Sequence, residues 1–167
     1  KPSHPLHPQD LLYFLKAAAL CNNAFLRRGE VGVKGLWRGL ACREALLWSV
    51  GGDPTEGALL VMAAKGGVWR EVLEKEERRV AEFPFDAERK RMSVVYSQGD
   101  GSLVAYVKGA PDVVLELCSH QMVRGRVVRL SEQDRREILR RNAAMASDAL
   151  RVLALAWRRL PSGGQVL

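Results

Sequence analysis

The first apolar pattern with a helical period covers residues 10–21. Leu12, Leu15 and Ala19 fall on one side of such a helix. Asp10 is a residue type that caps helix N-termini, and an Asn pair follows the last apolar position. We therefore predict a helix over 10–21 with Asp10 as its N-cap.

A second helix is predicted from agreeing signals at its start. Asp53 can be the N-cap, Pro54 suits the first helical position, and Glu56 stands three residues after the cap. The apolar positions that continue the pattern are Leu59, Leu60 and Ala63, and the glycines that end it are Gly66 and Gly67. A charged helix over 69–80 is expected to follow.

Two more helices are predicted near the end of the chain. Residues 111–118 form a short helix that begins at a proline. Ser131 with Asp134 caps a longer helix that ends near Leu150.

Alternation of side chains predicts a β-hairpin over 92–108, with Gly99 and Asp100 as a two-residue turn. That turn pairs Ser97 with Ser102, Val95 with Val104 and Ser93 with Tyr106. One face is then apolar or aromatic throughout and carries Met92, Val94, Tyr96, Leu103, Ala105 and Val107. We expect this face to cover the core and Lys108 to stand on the opposite, mixed face.

Other strands are indicated more weakly. Residues 45–50 form a short apolar run typical of a buried strand, residues 122–130 indicate one or two strands around Gly125, and 151–160 a final strand. Residues 24–43 indicate loop with weak strand. Helices and hairpins alternate without a regular βαβ repeat, so the predicted fold class is α+β, an antiparallel twisted sheet flanked by helices.

Composition narrows the class of protein. The sequence of 167 residues is 47% apolar and 27% charged, which suits one globular domain with a buried core. We place that domain at 11–160 and interpret 1–10 and 161–167 as linkers or cut ends. Charges interrupt every hydrophobic stretch, so we expect no membrane insertion of this segment.

The formal net charge of +7 is compatible with three ligand classes: nucleic acid, an anionic membrane surface or a small polyphosphate. The three cysteines include no CxxC pair, and the histidines lie far from any cysteine or carboxylate cluster in sequence. We therefore expect a reducing compartment and neither a disulfide framework nor a metal site.

Candidate chemistry is concentrated in four segments that join glycine or apolar residues to charge. They are Gly52-Asp53-Pro54-Thr55-Glu56-Gly57-Ala58-Leu59, Phe85 with Lys90-Arg91-Met92-Ser93, Lys108-Gly109-Ala110, and Arg151-Val152-Leu153-Ala154. In this order they resemble the nucleotide-binding (N) domain of type II P-type ATPases, the calcium-pump-like group. The opening Ala19-Leu20-Cys21-Asn22 also fits that group.

The resemblance implies an ATP site and gives roles to particular residues. Phe85 would stack on adenine, Glu56 would accept a hydrogen bond from its exocyclic amine, and Lys108 would lie near the base and the phosphate tail. The other residues that it implies for the site are Lys90, Gly109, Arg151, Thr55 and Leu153.

Each assignment has a structural alternative. Phe85 could belong to the core, and Glu56 could serve only as a capping residue. Lys108 could be an ordinary exposed strand lysine, Lys90 a solvated charge and Arg151 a strand-edge arginine.

The sequence departs from the family pattern at Ala87, where many members carry arginine. A phosphate contact is then missing or is supplied by Arg89 or Arg91. Residues 24–43 also look longer and more basic than their equivalents in calcium pumps.

No Asp in the sequence is followed by Lys-Thr, the start of the phosphorylation sequence of this family. The resemblance therefore implies an ATP-binding fragment of a cation-translocating ATPase, at the cytoplasmic face of a membrane, which binds Mg-ATP in the intact pump without a catalytic residue of its own. Its partners would be ATP or ADP and the pump's phosphorylation and actuator domains, and the isolated domain would be monomeric. Calcium is the default ion, with manganese and monovalent cations open.

Two alternatives remain at this point. One is a pump-like domain with a decayed site that acts as a regulatory or interaction module. The other is a basic nucleic-acid-binding module, although the sequence lacks an RNA-recognition signature.

Overall fold

The computed structural model describes residues 7–30 and 46–161. The helices of this part are α1 (Pro8–Leu20), α2 (Pro54–Lys65), α3 (Arg70–Glu76), α4 (Pro111–Leu117) and α5 (Glu132–Ser147). The strands are β1 (Phe25–Glu30), β2 (Leu46–Gly51), β3 (Arg78–Asp86), β4 (Arg91–Ser97), β5 (Leu103–Gly109), β6 (His120–Val123), β7 (Arg126–Arg129) and β8 (Ala154–Leu160).

A four-stranded antiparallel sheet with the order β3-β4-β5-β8 forms the centre of the structure. Two antiparallel ribbons, β1-β2 and β6-β7, accompany it. The α+β class with an antiparallel sheet and flanking helices is confirmed.

The core lies between α1 and one face of the central sheet. Ala17, Leu20 and Cys21 at the end of α1 pack on buried residues of β4 and β5, which are Met92, Val94, Tyr96, Val104 and Tyr106. A second cluster joins α1 to α2 through Leu15, Ala19, Ala24, Leu60, Ala63 and Val68. Helix α2, which carries the Asp-Pro-Thr-Glu segment, is therefore held beside the sheet through α1.

The predicted register of the β4-β5 hairpin is wrong by one residue. Ser97 pairs with Leu103, and a three-residue turn ends at Gly101, whose φ is +79°. Gly101 N–H donates to the Gln98 carbonyl at 2.9 Å, and Gln98 N–H donates to the Ser102 carbonyl at 2.8 Å. A type I turn followed by a left-handed glycine gives this pattern.

The shift exchanges the two faces of β5. Val104, Tyr106 and Lys108 lie on the core face, opposite Tyr96, Val94 and Met92 respectively. The prediction that Lys108 lies off the core face is therefore wrong, because a one-residue slip turns every side chain of a strand over.

The start of α1 also differs from the prediction. The helix begins at Pro8, and the His7 side chain accepts a hydrogen bond from Gln9 N–H at 3.4 Å, so Asp10 is not the N-cap. The Asp10 carboxylate instead accepts from the backbone N–H groups of Arg124 and Gly125, each at 2.8 Å. It thereby connects α1 to the β6-β7 turn.

The charged helix predicted over 69–80 ends early, because α3 stops at Glu76 and β3 begins at Arg78. Hydrogen bonding of β3 to β4 outweighs the local helical preference of this charged segment. The predicted strand over 45–50 is present as β2, but Trp48, Ser49 and Val50 are exposed, so its predicted burial is wrong for these residues. β2 belongs to a two-stranded ribbon, and pairing within such a ribbon does not bury both faces of a strand.

Several predicted boundaries hold. α2 begins at Pro54 with Asp53 as N-cap, and Ser131 and Asp134 form the expected capping box of α5. Two other boundaries differ from the prediction, because α5 ends at Ser147, three residues before the predicted end, and β8 begins at Ala154, three residues after the predicted start. Of the segment predicted as loop with weak strand, 25–30 is strand β1, while 31–43 lies outside the described residues.

Within the described ranges, no helix is long and apolar enough to span a membrane.

Candidate nucleotide site

The centre of the candidate site is an ion pair between α2 and β5. Lys108 Nζ bonds to Glu56 Oε1, and the two side chains are only 9% and 16% exposed. Asp53 sets the start of α2 by accepting from the N–H groups of Thr55 at 2.8 Å and Glu56 at 3.1 Å. The Asp-Pro-Thr-Glu segment thus places the Glu56 carboxylate against Lys108, the lysine of the Lys-Gly-Ala segment.

Glu56 is held from a second side as well. Its Oε2 accepts from the backbone N–H of Asn23 at 3.0 Å. The alternative capping role of Glu56 would direct its carboxylate to the backbone of Asp53, whereas the carboxylate contacts Asn23 and Lys108.

Phe85 lies on β3 with 62% of its surface exposed, so it is not a core residue. Pro84 and Phe85 stand opposite the single residue Met92 in an irregularity of the β3-β4 pairing, and Met92 pairs with Lys108. Phe85 and Lys108 are therefore at the same level of the sheet with β4 between them, roughly 10 Å apart at two strand spacings.

Lys90 and Gly109 meet at the end of the same strands. Lys90 has a φ of +50° in the β3-β4 turn, and its carbonyl accepts from Ala110 N–H at 3.0 Å. A Cβ on Gly109 would overlap the Lys90 carbonyl oxygen and lie 2.8 Å from Arg91 Cβ. Gly109 is required because the two backbones approach so closely.

Thr55, Arg151 and Leu153 line a largely apolar groove of about 390 Å³ between α1, α2 and the segment that leads into β8. The pKa of the Asp53 carboxyl is lowered, mainly by the hydrogen bond from Glu56 N–H and more weakly by the charge of Arg151. Arg151 is exposed and lies before β8, so the predicted position at the start of the strand is wrong by three residues.

The two arginines considered as substitutes at the Ala87 position are both engaged locally. Arg89 Nη2 donates to the Pro84 carbonyl at 2.9 Å, and Arg91 Nη1 donates to the Arg89 carbonyl at 3.3 Å. Both side chains thus bond to backbone carbonyls at or beside the turn that follows Phe85.

Seven of the predicted site residues thus fall into three groups: Glu56 in contact with Lys108, Lys90 in contact with Gly109, and Thr55, Arg151 and Leu153 lining one groove. Phe85 stands apart from these groups. Sequence reasoning missed the residues behind Glu56, which are Asn22, Asn23 and Arg79. The sequence signal for them is the Asn pair, which ends the first predicted helix and whose Asn22 belongs to a segment that fits the family, but no site role follows from either observation.

The described ranges contain two cysteines, Cys21 and Cys118. Cys21 is buried beside Lys108, and burial raises its pKa to about 12, while burial also raises the pKa of Cys118. Both are free thiols, and no group of His, Cys, Asp and Glu able to hold a metal ion is present among the residues that the structure describes.

A family model described as "P-type ATPase, cytoplasmic domain N" matches residues 10–165. The chain belongs to this family. The match covers all three groups of the candidate site and both halves of the central sheet, so the resemblance drawn from four short segments is confirmed over nearly the whole chain.

Relatives of this N domain include named cation pumps. It is 36% identical over 157 residues to the calcium-transporting ATPase of Bacillus subtilis, covering 93% of this chain and 15% of that protein. It is 36% identical over 164 residues to the sodium/potassium exporting P-type ATPase cta3 of Schizosaccharomyces pombe, covering 92% of this chain and 14% of that protein. Human calcium-transporting ATPase type 2C member 1 is 36% identical over 123 residues, 71% of this chain and 13% of that protein. The chain thus spans about a seventh of the length of these relatives.

Proposed function

We propose that this N domain binds ATP and presents it to a phosphorylation-domain aspartate that this chain lacks. The observation that supports this most strongly is the buried Glu56–Lys108 pair at the same level of the sheet as the exposed ring of Phe85. A single residue, Met92, separates Phe85 from Lys108 across the sheet, so the backbones of these two residues are roughly 10 Å apart.

The exposed Phe85 ring supplies the stacking face. A base stacked on an aromatic side chain gains about 1–3 kcal/mol, and a ring with 62% of its surface in water has that face available. The bulge that holds Phe85 also removes it from the regular pairing of β3, which presents a side chain without disrupting the core.

Glu56 supplies discrimination between bases. An ionised carboxylate only accepts hydrogen bonds, and it retains free lone pairs after bonding to Lys108 and Asn23 N–H. The exocyclic amine of adenine can donate to it, whereas the carbonyl of guanine would meet it with repulsion. We therefore propose a preference for ATP over GTP.

The phosphate tail is assigned to the cations at the rim. Lys90, in its exposed turn, and Arg151, beside Thr55 and Leu153 in the groove, are the candidates. Phosphoryl transfer depends on positioning and charge stabilisation, so a domain that carries the nucleotide contributes without holding the nucleophile. ATP would enter as Mg-ATP in the parent pump, with the magnesium ligands outside this chain.

The wider context is also a proposal. We place the chain at the cytoplasmic face of a membrane, as part of an ATP-hydrolysing cation pump, with the phosphorylation and actuator domains as partners. Calcium is the proposed ion because the Bacillus subtilis and human relatives are named for it, while the Schizosaccharomyces pombe relative is named for sodium and potassium.

The test is to follow the backbone amides of the chain by NMR during titration with ATP. We expect the largest shifts at Phe85, Lys108 and Glu56, and small shifts in the β6-β7 ribbon. Phe85→Ala should weaken binding, whereas Val80→Ala, on the same strand with 48% of its surface exposed, should not. Shifts centred on β6-β7, or equal effects of the two variants, would contradict the assignment.

A further inference from the structure

We propose that Asn22 and Asn23 position the Glu56 carboxylate and thereby set the choice of base. This inference rests on the proposed ATP site and extends it to residues that need not touch the nucleotide. The pair connects the end of α1 to both the first turn of α2 and strand β3, so it lies where the supports of Glu56 meet.

Asn22 fixes where α2 begins relative to α1. Its side chain is 1% exposed, and its amide nitrogen donates to the carbonyls of Ala18 at 3.1 Å and Glu56 at 2.8 Å. Its amide oxygen accepts from Ala24 N–H at 2.8 Å. Both donors and the acceptor are thus engaged, and one of these bonds reaches the backbone of Glu56 itself.

Asn23 fixes the carboxylate. Its backbone N–H donates to Glu56 Oε2, while its side chain accepts from Arg79 Nη1 at 2.9 Å and donates to Glu82 Oε1 at 2.5 Å. The N–H that orients Glu56 therefore belongs to a residue whose side chain is anchored on β3.

Arg79 completes the support with a guanidinium fork. Its Nη2 donates to the Asn22 carbonyl at 3.1 Å, and its Nη1 is 3.0 Å from Glu82 Oε2. Arg70 reaches the same junction and donates to the Ala24 carbonyl at 2.7 Å. Two arginines from different elements thus hold the backbone on both sides of Asn23.

This arrangement makes Glu56 a rigid acceptor. One oxygen bonds to Lys108 and the other to Asn23 N–H, so rotation of the carboxylate breaks at least one bond. A site built around a fixed polar group rejects a ligand that cannot pair with it, and this discrimination is lost when the group can turn away. Loosening the Asn pair should therefore equalise ATP and GTP binding.

The experiment measures dissociation constants for ATP and GTP, with melting temperatures, in the complete chain and four variants. Asn23→Ala keeps the backbone N–H but removes the side-chain hydrogen bonds to Arg79 and Glu82 that hold this residue in place. Asn22→Asp keeps the shape of the side chain but sets an oxygen against two carbonyls. Glu56→Gln removes the carboxylate itself and so shows how large the loss of base preference can be. Arg78→Lys, at an exposed neighbour on β3, is the matched control.

We expect Asn23→Ala to reduce the ratio of ATP to GTP affinity by about threefold to tenfold, the effect of one hydrogen bond. Asn22→Asp should reduce it further, and Arg78→Lys should leave it unchanged. A purely structural role would lower the melting temperature of the Asn variants and leave the ratio intact.

The outcomes separate this inference from the proposed function. If the unaltered chain prefers ATP, Glu56→Gln loses the preference and folded Asn23→Ala keeps it in full, the positioning role is overturned while the ATP site stands. If the unaltered chain binds no ATP, both fail. Asn23→Ala decides the question even if Asn22→Asp does not fold, because its changes lie on the exposed side chain.

Discussion

Replacing Lys108 with alanine tests the geometry of the site without any nucleotide. Lys108 is 7% exposed on the core face of β5 and neutralises Glu56, which is itself largely buried. Its removal leaves a buried carboxylate with only the Asn23 N–H as a partner. Breaking a buried ion pair at one partner costs about 3–5 kcal/mol.

For a domain of this size, 1 kcal/mol corresponds to about 2–4 °C in melting temperature. Lys108→Ala should therefore lower the midpoint by roughly 6–20 °C. Lys65→Ala, at an exposed lysine in the last turn of α2, should change stability by no more than about 0.5 kcal/mol.

A double variant separates charge from packing. Lys108→Met combined with Glu56→Gln removes both charges and keeps similar volumes, and such replacements of buried pairs are often neutral. We expect it to recover most of the loss, as measured by thermal and urea unfolding. A midpoint for Lys108→Ala within about 2 °C of the unaltered chain would refute the buried pair and restore the register that puts Lys108 on the outer face.

Three further changes test other parts of the account. Phe85→Ala should weaken ATP binding by about 1–3 kcal/mol in calorimetry and leave the melting temperature nearly unchanged, whereas a collapse of the fold would return this residue to the core. Gly109→Ala should lower the melting temperature because its Cβ would overlap the Lys90 carbonyl, and Gly99→Ala, which faces open space, should not; equal melting would show that the strands do not approach so closely. Hydrogen bonds from two arginines lower the pKa of Glu137 from 4.5 to about 2, so its contribution to α5 is present above pH 4.5 and is lost as the pH falls toward 2. In Glu137→Gln, the helix signal in circular dichroism should depend less on pH between 4.5 and about 2. An acid transition that is the same in this variant as in the unaltered chain would contradict the pairing.

Local chemistry made part of the fold predictable. Asp53 and Pro54 define the start of α2 because capping and a fixed φ act within one turn. The hairpin register could not be derived in the same way, because Gly99 and Gly101 both offer a turn and only the one at φ +79° closes it. Because of this ambiguity, the predicted register placed Lys108 on the wrong face of the hairpin.

The candidate site, like the fold, could be predicted only in part from the sequence. The residues that we propose contact the nucleotide belong to short segments that match the family, so Glu56 and Phe85 could be named as candidates from the sequence. Their supports could not, because Asn22 bonds to Glu56 across 34 positions and Arg79 to Asn23 across 56. Contacts of this kind depend on tertiary packing, which no local pattern encodes.

The most direct test of the central claim is a calorimetric titration of the chain with ATP, with phosphate release measured in the same samples. We expect saturable one-to-one binding, weaker binding of GTP, and release of phosphate at background level. A cooperatively folded chain that shows no saturable binding of ATP would contradict the proposal, as would stoichiometric turnover abolished by a change within this chain.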